Sequence, residues 1–208
     1  IDYGSGNLRS AAKAFELASA DIGNSKVNLT CDPADLVNTS HIVLPGVGAF
    51  ADCKAGLLAV DGMVEALHEQ VINNAKPFLG ICVGMQLMAN SGAEHGNTEG
   101  FGWIGGDVVA IKPNDKRLKI PHMGWNGLQK NSEFHPVVSV IPDDAHAYFV
   151  HSYQFSAKNP INVLATVDYG ESLTAIIGRE NLIGTQFHPE KSQRVGFDFI
   201  KSFLRWRP

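Results

Sequence analysis

The stretch Gly80-Ile81-Cys82-Val83-Gly84 has the form of a nucleophile flanked by glycines two residues to either side. That form marks a strand turning sharply into a helix, with the nucleophile held on the turn. The turn strains the backbone and exposes the side chain, and the glycines remove Cβ atoms that would clash across it. A helix over Met85–Ala89 and beyond would aim its N-terminus at Cys82, and the partial positive charge there would favour thiolate. The Val83 N–H would face a developing oxyanion. A cysteine standing alone on an apolar strand reads as structural. The paired glycines and the apolar run before them turn the reading to nucleophile. Cys31 and Cys53 have no such frame and read as incidental.

A thiol nucleophile needs a base. Among eight histidines, His188 opens His188-Pro189-Glu190 at the end of an apolar run. Residues i and i+2 of an extended chain point the same way. Glu190 can then reach one imidazole nitrogen while the other faces Cys82, and Pro189 keeps His188 extended. Taken alone, the motif fits a strand-end histidine beside a solvated glutamate equally well. With the elbow cysteine upstream it reads as a Cys-His-Glu triad. Leu44-Pro45-Gly46-Val47-Gly48-Ala49-Phe50 follows another apolar run, and its glycines permit close backbone approach to a ligand. Such a loop is either an ordinary tight turn or the source of a second oxyanion N–H, from Val47 or Gly48. No Gly-Lys-Ser/Thr follows, so it is not a phosphate loop. Asp2-Tyr3-Gly4-Ser5-Gly6-Asn7 precedes a helix and could hold an anion, but lacks dinucleotide spacing. His122, His135, His146 and His151 lack paired ligand spacing, so neither metal nor cofactor is expected.

Those residues must be carried by alternating elements. Asn7–Ser19 and Val64–Ala75 have helical spacing, the latter with Leu67, Val71 and Ile72 on one face. Lys26–Leu29, His41–Leu44 (stopped by Pro45-Gly46) and Phe78–Ile81 are short apolar runs between them, the pattern of βαβ units. After a glycine-rich loop at Gly92–Gly106, strands are predicted at Gly106–Ile111, Ala147–His151, Ile161–Val167, Leu173–Ile177 and Leu182–Phe187. The gaps between several of these are too short for crossover helices, so those strands are antiparallel. Val195–Trp206 closes the chain as an amphipathic helix with Phe199, Ile200 and Phe203 inward. The first strand is expected to begin before Ile1. The prediction is a three-layer α/β domain over residues 1–208, with a parallel core and added antiparallel strands.

Composition narrows the function classes. Seventeen Lys+Arg against 21 Asp+Glu leave a net charge of −4, which does not suit a phosphate-backbone binder. No apolar run nears the roughly 18 residues of a membrane span. Three cysteines without a CxxC argue against a disulfide scaffold and fit a reducing cytoplasm. The 21 glycines require a reason, which the elbow and the Pro45–Gly48 loop supply in part.

Together these segments resemble the class I, triad-type glutamine amidotransferases, and within them the glutaminase subunits of imidazole glycerol phosphate synthases. The resemblance rests on Asp2–Asn7, Leu44–Phe50, Gly80–Gln86, Pro121-His122-Met123-Gly124-Trp125-Asn126, Tyr148-Phe149-Val150-His151-Ser152-Tyr153 and Gln186–Ser192, in family order from end to end. The elbow and the His-Pro-Glu mark the superfamily. The opening motif and Pro121–Asn126 separate this branch from the anthranilate, guanylate and carbamoyl phosphate relatives. The resemblance implies a flavodoxin-like fold and attack of Cys82 on the carboxamide of glutamine. His188 would protonate departing ammonia, and water would release glutamate. Val83 with Val47 or Gly48 would bind the oxyanion, while Gly46, Gly48, Gln86, Ser152 and Tyr153 would hold glutamine. Ammonia would pass to a (β/α)8-barrel cyclase subunit, with Asn7, Met123, Trp125, Tyr148 and Lys191 toward that partner. Met123 and Trp125 could instead be core. The Pro45–Gly48 loop would gate activity until the partner binds its nucleotide. Two other readings are another class I glutaminase, such as that of pyridoxal phosphate synthase, and a silent binding module of the same fold.

Overall fold

Residues 1–4, 8–23, 26–131 and 135–208 are described by the computed structural model. Its centre is three parallel strands. β1 (Ile42–Gly46) pairs with β2 (Phe78–Cys82) in a register that sets Gly46 opposite Cys82. β2 is buried at every position, as a strand covered on both faces must be. On its other side lies β11 (Leu182–Thr185), also parallel. The carboxyl ends of all three strands therefore meet at one edge, where open α/β sheets place their ligands.

Beyond β11 the sheet turns antiparallel through β10 (Ser172–Arg179), β9 (Val163–Asp168), β6 (His122–Lys130) and β7 (His146–His151). The order among the described residues is β1-β2-β11-β10-β9-β6-β7. A smaller sheet, ordered β4-β3-β5-β8, is built from β3 (Ser91–Gly92), β4 (Thr98–Glu99), β5 (Gly106–Ala110) and β8 (Tyr153–Ala157). This is the expected mixed sheet with a parallel core. α1 (Leu8–Ile22) packs on α5 (Gln193–Arg205), and α2 (Phe50–Ala59) meets α3 (Met63–His68) and α4 (Val83–Gln86). Phe199, Ile200 and Phe203 of α5 are fully buried, as the apolar spacing predicts. Each such side chain contributes about 1.5–3 kcal/mol on burial. Phe187 bridges Phe199 and Phe149 edge-on, with ring centroids 5.9 Å apart on both sides, so the residue before His188 is locked to α5 and β7.

Several segments differ from the sequence expectation. Lys26–Leu29 forms no strand; it is largely exposed, and Asp2 N donates to Thr30 O just beyond it. β1 continues through Pro45 to Gly46, because an edge strand tolerates a missing N–H. The Val64–Ala75 helix is α3 followed by a π turn over Glu69–Asn73, which keeps Leu67 and Val71 buried but exposes Ile72. Leu182–Phe187 ends as a strand at Thr185. β6 and β8 were not expected as strands, nor α2 as a helix. The helix expected over Met85–Ala89 and beyond is the single turn α4, four residues long.

The glycine-rich segment explains why α4 stops. Gly100 N, Phe101 N, Gly102 N and Ile104 N donate to Asn90 O, Leu87 O, Ala89 O and Met88 O at 2.7–3.0 Å. They satisfy carbonyls left open where the helical turn ends. A Cβ on Gly100 would overlap Ala89 O, so glycine is required for this approach.

Candidate active site

Cys82 sits on the elbow with φ 55° and ψ −113°, a conformation non-glycine residues avoid. Such strain costs on the order of 1–3 kcal/mol and persists only where surrounding structure imposes it. The imposing contacts are backbone to backbone. A Cβ on Gly84 would overlap Leu44 O, and one on Gly46 would lie 2.7 Å from Gly84 N. β1 therefore presses directly on the turn after Cys82. Gly80 is likewise closed, since its Cβ would come 2.5 Å from Gly84 O.

The thiol opens into a cavity of about 300 Å³. Val47 and Gly48 line it from the loop after β1, Val83 and Gln86 from the elbow turn, and Ser152 and Tyr153 from the bend between β7 and β8. His151 and His188 complete the wall. Thus most of the expected site residues converge from four separate segments. Gly46 lies behind them, packed on the elbow. A larger cavity of about 390 Å³ lies beside Lys54, Glu65 and Trp103, but no thiol lines it.

His188 Nδ1 and Glu190 Oε1 are 2.8 Å apart, and both side chains are buried. A carboxylate only accepts, so Nδ1 carries the proton. The contact arises differently from the expected extended i, i+2 pair: His188 is extended, but Pro189–Lys191 is a 3₁₀ turn that folds Glu190 back. His188 Nε2 and Glu190 Oε2 are buried without hydrogen bonds. Unpartnered buried groups are rare and ask for a reason such as catalysis. Burial alone would depress the imidazole pKa, but Cys82 and then Glu190 outweigh it and lift it to about 9.

A second polar chain runs behind the cavity. His151 Nδ1 faces Tyr153 O at 2.9 Å, so Nδ1 donates and Nε2 must accept. His122 Nδ1 therefore donates to His151 Nε2 at 2.9 Å, and His122 Nε2 accepts from Asn126 Nδ2 at 3.3 Å. Burial lowers both histidines to about 4, so the pair is neutral at pH 7. Gln86 Nε2 also donates to Tyr153 O, at 3.1 Å.

Three residues escaped the sequence reading. Glu94 lines the cavity and accepts the Phe50 N–H at 2.8 Å; it is one of two carboxylates, with Glu99, in the glycine-rich segment after the elbow, and nothing in the sequence singled it out. Cys53 is not incidental: it is buried and donates its thiol hydrogen to Val47 O, S to O 3.4 Å, under the Pro45–Gly48 loop. Gln186, part of a quoted motif without a role, has its Nε2 3.6 Å from Cys82 Sγ.

Met123 and Trp125 are surface residues, 61% and 47% exposed, so the core alternative for them fails. Trp125 pairs across the strands with Tyr148, and Lys191 Nζ lies 5.7 Å from the Tyr148 ring. These four side chains share one face. Asn7 lies outside the described residues. Among the described residues no cluster of metal ligands is present, and no helix is long and apolar enough to cross a membrane.

Similarity to known proteins follows the same lines. The sequence model of the family described as Glutamine amidotransferase class-I matches residues 1–205. The imidazole glycerol phosphate synthase subunit HisH of Brucella melitensis is 56% identical over 212 residues, covering 100% of this chain and 98% of the relative. That of Rhodospirillum rubrum is 57% identical over 209 residues with the same coverage. Among solved structures, a glutamine amidotransferase superposes with a TM-score of 0.71 at 14% identity, over 96% of this chain and 95% of its own. The glutaminase domain of Trypanosoma brucei CTPS gives 0.63 at 14% identity, over 98% and 93%. These distant structures speak for the fold alone. The family match spans nearly the whole chain, and the relatives at more than half identity are matched over nearly their whole length, so the chain belongs to the class I glutamine amidotransferases.

Proposed function

We propose that the chain is the glutaminase subunit of an imidazole glycerol phosphate synthase, one amidotransferase domain over residues 1–208. The observation that carries the chemistry is a strained elbow thiol sharing a cavity with an imidazole nitrogen that has no hydrogen bond. The names and near-complete coverage of the relatives support the pathway assignment.

Glutamine enters with its carboxamide at Cys82 and its ammonium toward Glu94, the carboxylate on the cavity wall. Gly48 leaves room for it, Gly46 serves only to seat the elbow behind it, and Gln86, Ser152 and Tyr153 hold it. Cys82 Sγ attacks the carboxamide carbon. The Val83 N–H and an N–H from Val47 or Gly48 take up the oxyanion, a contribution usually worth several kcal/mol for such preorganised donors. His188 Nε2 delivers a proton to departing ammonia, while Glu190 holds Nδ1. In the second half His188 takes a proton from water, which cleaves the thioester to glutamate and returns the electron pair to sulfur.

Free ammonia would be protonated in water, so a receiving subunit is required. The partner in this reading is a (β/α)8-barrel cyclase that makes imidazole glycerol phosphate and the aminoimidazole carboxamide ribotide. Met123, Trp125, Tyr148 and Lys191 form the docking face. The Pro45–Gly48 loop is the gate that answers to the partner's nucleotide. The free thiols suit a cytoplasmic setting. Cys82→Ala in the reconstituted complex tests the reading: glutamine-dependent synthesis is lost and ammonia-dependent synthesis is kept. Loss of both activities would make Cys82 structural.

A further inference from the structure

Gln186 has no part in the mechanism above, yet it touches the nucleophile. Its side chain is fully buried just beyond β11. Burying a carboxamide is unfavourable unless its ends are hydrogen-bonded. Here Oε1 accepts from Gln86 Nε2 at 3.0 Å, and Nε2 lies 3.6 Å from Cys82 Sγ, an ordinary N–H to sulfur separation given the size of sulfur.

The direction of this chain follows from one atom. Oxygen and nitrogen of an amide are told apart by their partners. Tyr153 O is a backbone carbonyl and can only accept, so the Gln86 atom 3.1 Å from it must be the NH2. The same nitrogen lies 3.0 Å from Gln186, so the Gln186 atom facing it must be oxygen. The remaining end of Gln186 is then NH2, and it points an N–H at sulfur. Tyr153 O is itself held from a second side by the Nδ1–H of His151 at 2.9 Å. The four-residue α4 sums too few peptide dipoles to supply this stabilisation.

We propose that Gln186 is a catalytic hydrogen-bond donor to the Cys82 sulfur, aimed by Gln86 and the Tyr153 carbonyl. It acts whenever negative charge rests on sulfur: before attack, and when the thioester C–S bond breaks and its electron pair returns. The proposal rests on Cys82 being the nucleophile. The titratable groups around that sulfur are His188 and Glu190 after β11, His151 at the end of β7, Tyr153 at the start of β8 and Glu94 across the cavity.

The test pairs two variants of near-equal size. Gln186→Glu keeps an oxygen for Gln86 but replaces the donor with an acceptor; Gln186→Met removes both. Iodoacetamide labelling of Cys82, read by peptide mass spectrometry, reports thiolate without requiring bound glutamine. We expect Gln186→Glu to slow labelling near neutral pH by about 10- to 100-fold, the size of one hydrogen bond to a charged group. The labelling–pH curve should move to the alkaline side. In Gln186→Met the slowing is smaller. Turnover falls in parallel, and in Gln186→Glu, which keeps the oxygen that holds Gln86, KM for glutamine stays within about two-fold, because Gln186 does not line the cavity. Wild-type labelling and turnover in both variants overturn the proposal, as does a rise in KM with kcat intact. Circular dichroism shows which variant folds; if Gln186→Glu does not, Gln186→Met is read by the same labelling, with the smaller slowing expected and wild-type labelling overturning the proposal. Activity retained in Cys82→Ala would instead sink the nucleophile assignment, so the two failures are distinct.

Discussion

His188 carries the pH response of the site. Cys82 and Glu190 outweigh burial and raise its pKa from an ordinary 6.5 to about 9. A group raised on folding stabilises the native state fully below its unfolded value and loses that contribution as pH climbs to the folded one. The window is therefore pH 6.5 to about 9, with stability falling as pH rises. Through that range His188 stays largely protonated, as the proposed proton transfer to departing ammonia requires. Because Cys82 is the larger of the two raising partners, Cys82→Ala should move the His188 imidazole titration, followed by NMR, well to the acid side of about 9. Equal titration in both proteins would show that Glu190 acts alone. At this scale the elbow and the His188–Glu190 contact were legible, because Gly-x-Cys-x-Gly and His-Pro-Glu are spelled out in neighbouring residues. Glu94 and Gln186 were not, since a carboxylate or a carboxamide acquires a role only from what faces it. Cys53 was misjudged for the same reason: its partner, Val47 O, is a backbone atom that no side-chain pattern announces.

The elements meet with no room between backbones. β1, the end of β2 and α4 pack through Gly46, Gly80 and Gly84, and the Leu87–Asn90 carbonyls are covered by N–H groups of Gly100–Ile104. Strand patterns foretold β2 and β11 because buried parallel strands are short apolar runs. β6 escaped because its burial follows no alternation and it contains Gly124, Asn126 and Gly127, all poor strand formers. Helix length after the elbow was overestimated because Leu87–Ala89 are apolar and helix-compatible, while the competing partners lie more than ten residues downstream. Gly84 is the tightest of these contacts. Gly84→Ala puts a Cβ onto Leu44 O, which belongs to a strand and cannot yield alone. We expect a loss of about 3 kcal/mol or more, a fall in melting temperature of about 6–12 °C. An unchanged melt would mean that β1 is free to slide away from the elbow.

At the β6–β7 end of the sheet, Met123 and Trp125 face outward and His122 inward on the same strand. The α/β order was readable from the chain; that Met123 and Trp125 stay outside was implied by the family resemblance but not by the apolar pattern, because it depends on which strands end the sheet. The exposed face is joined to His188 by short steps. Lys191 lies over the Tyr148 ring, Tyr148 N donates to Ser192 Oγ at 3.0 Å, and Ser192 Oγ donates to His188 O at 2.7 Å. His188 N donates in turn to Tyr148 O at 3.0 Å. A partner seated on Tyr148 and Lys191 is thus two hydrogen bonds from the backbone that sets the imidazole. Aromatic anchors dominate the energy of such interfaces. Trp125→Ala should weaken binding of the cyclase subunit by about 2 kcal/mol, or roughly 30-fold, in titration calorimetry. The melting temperature of the free chain should hardly change, since the indole is half exposed. Wild-type affinity for the cyclase in Trp125→Ala, alongside a lowered melt, would make the indole a packing residue and move the docking face elsewhere.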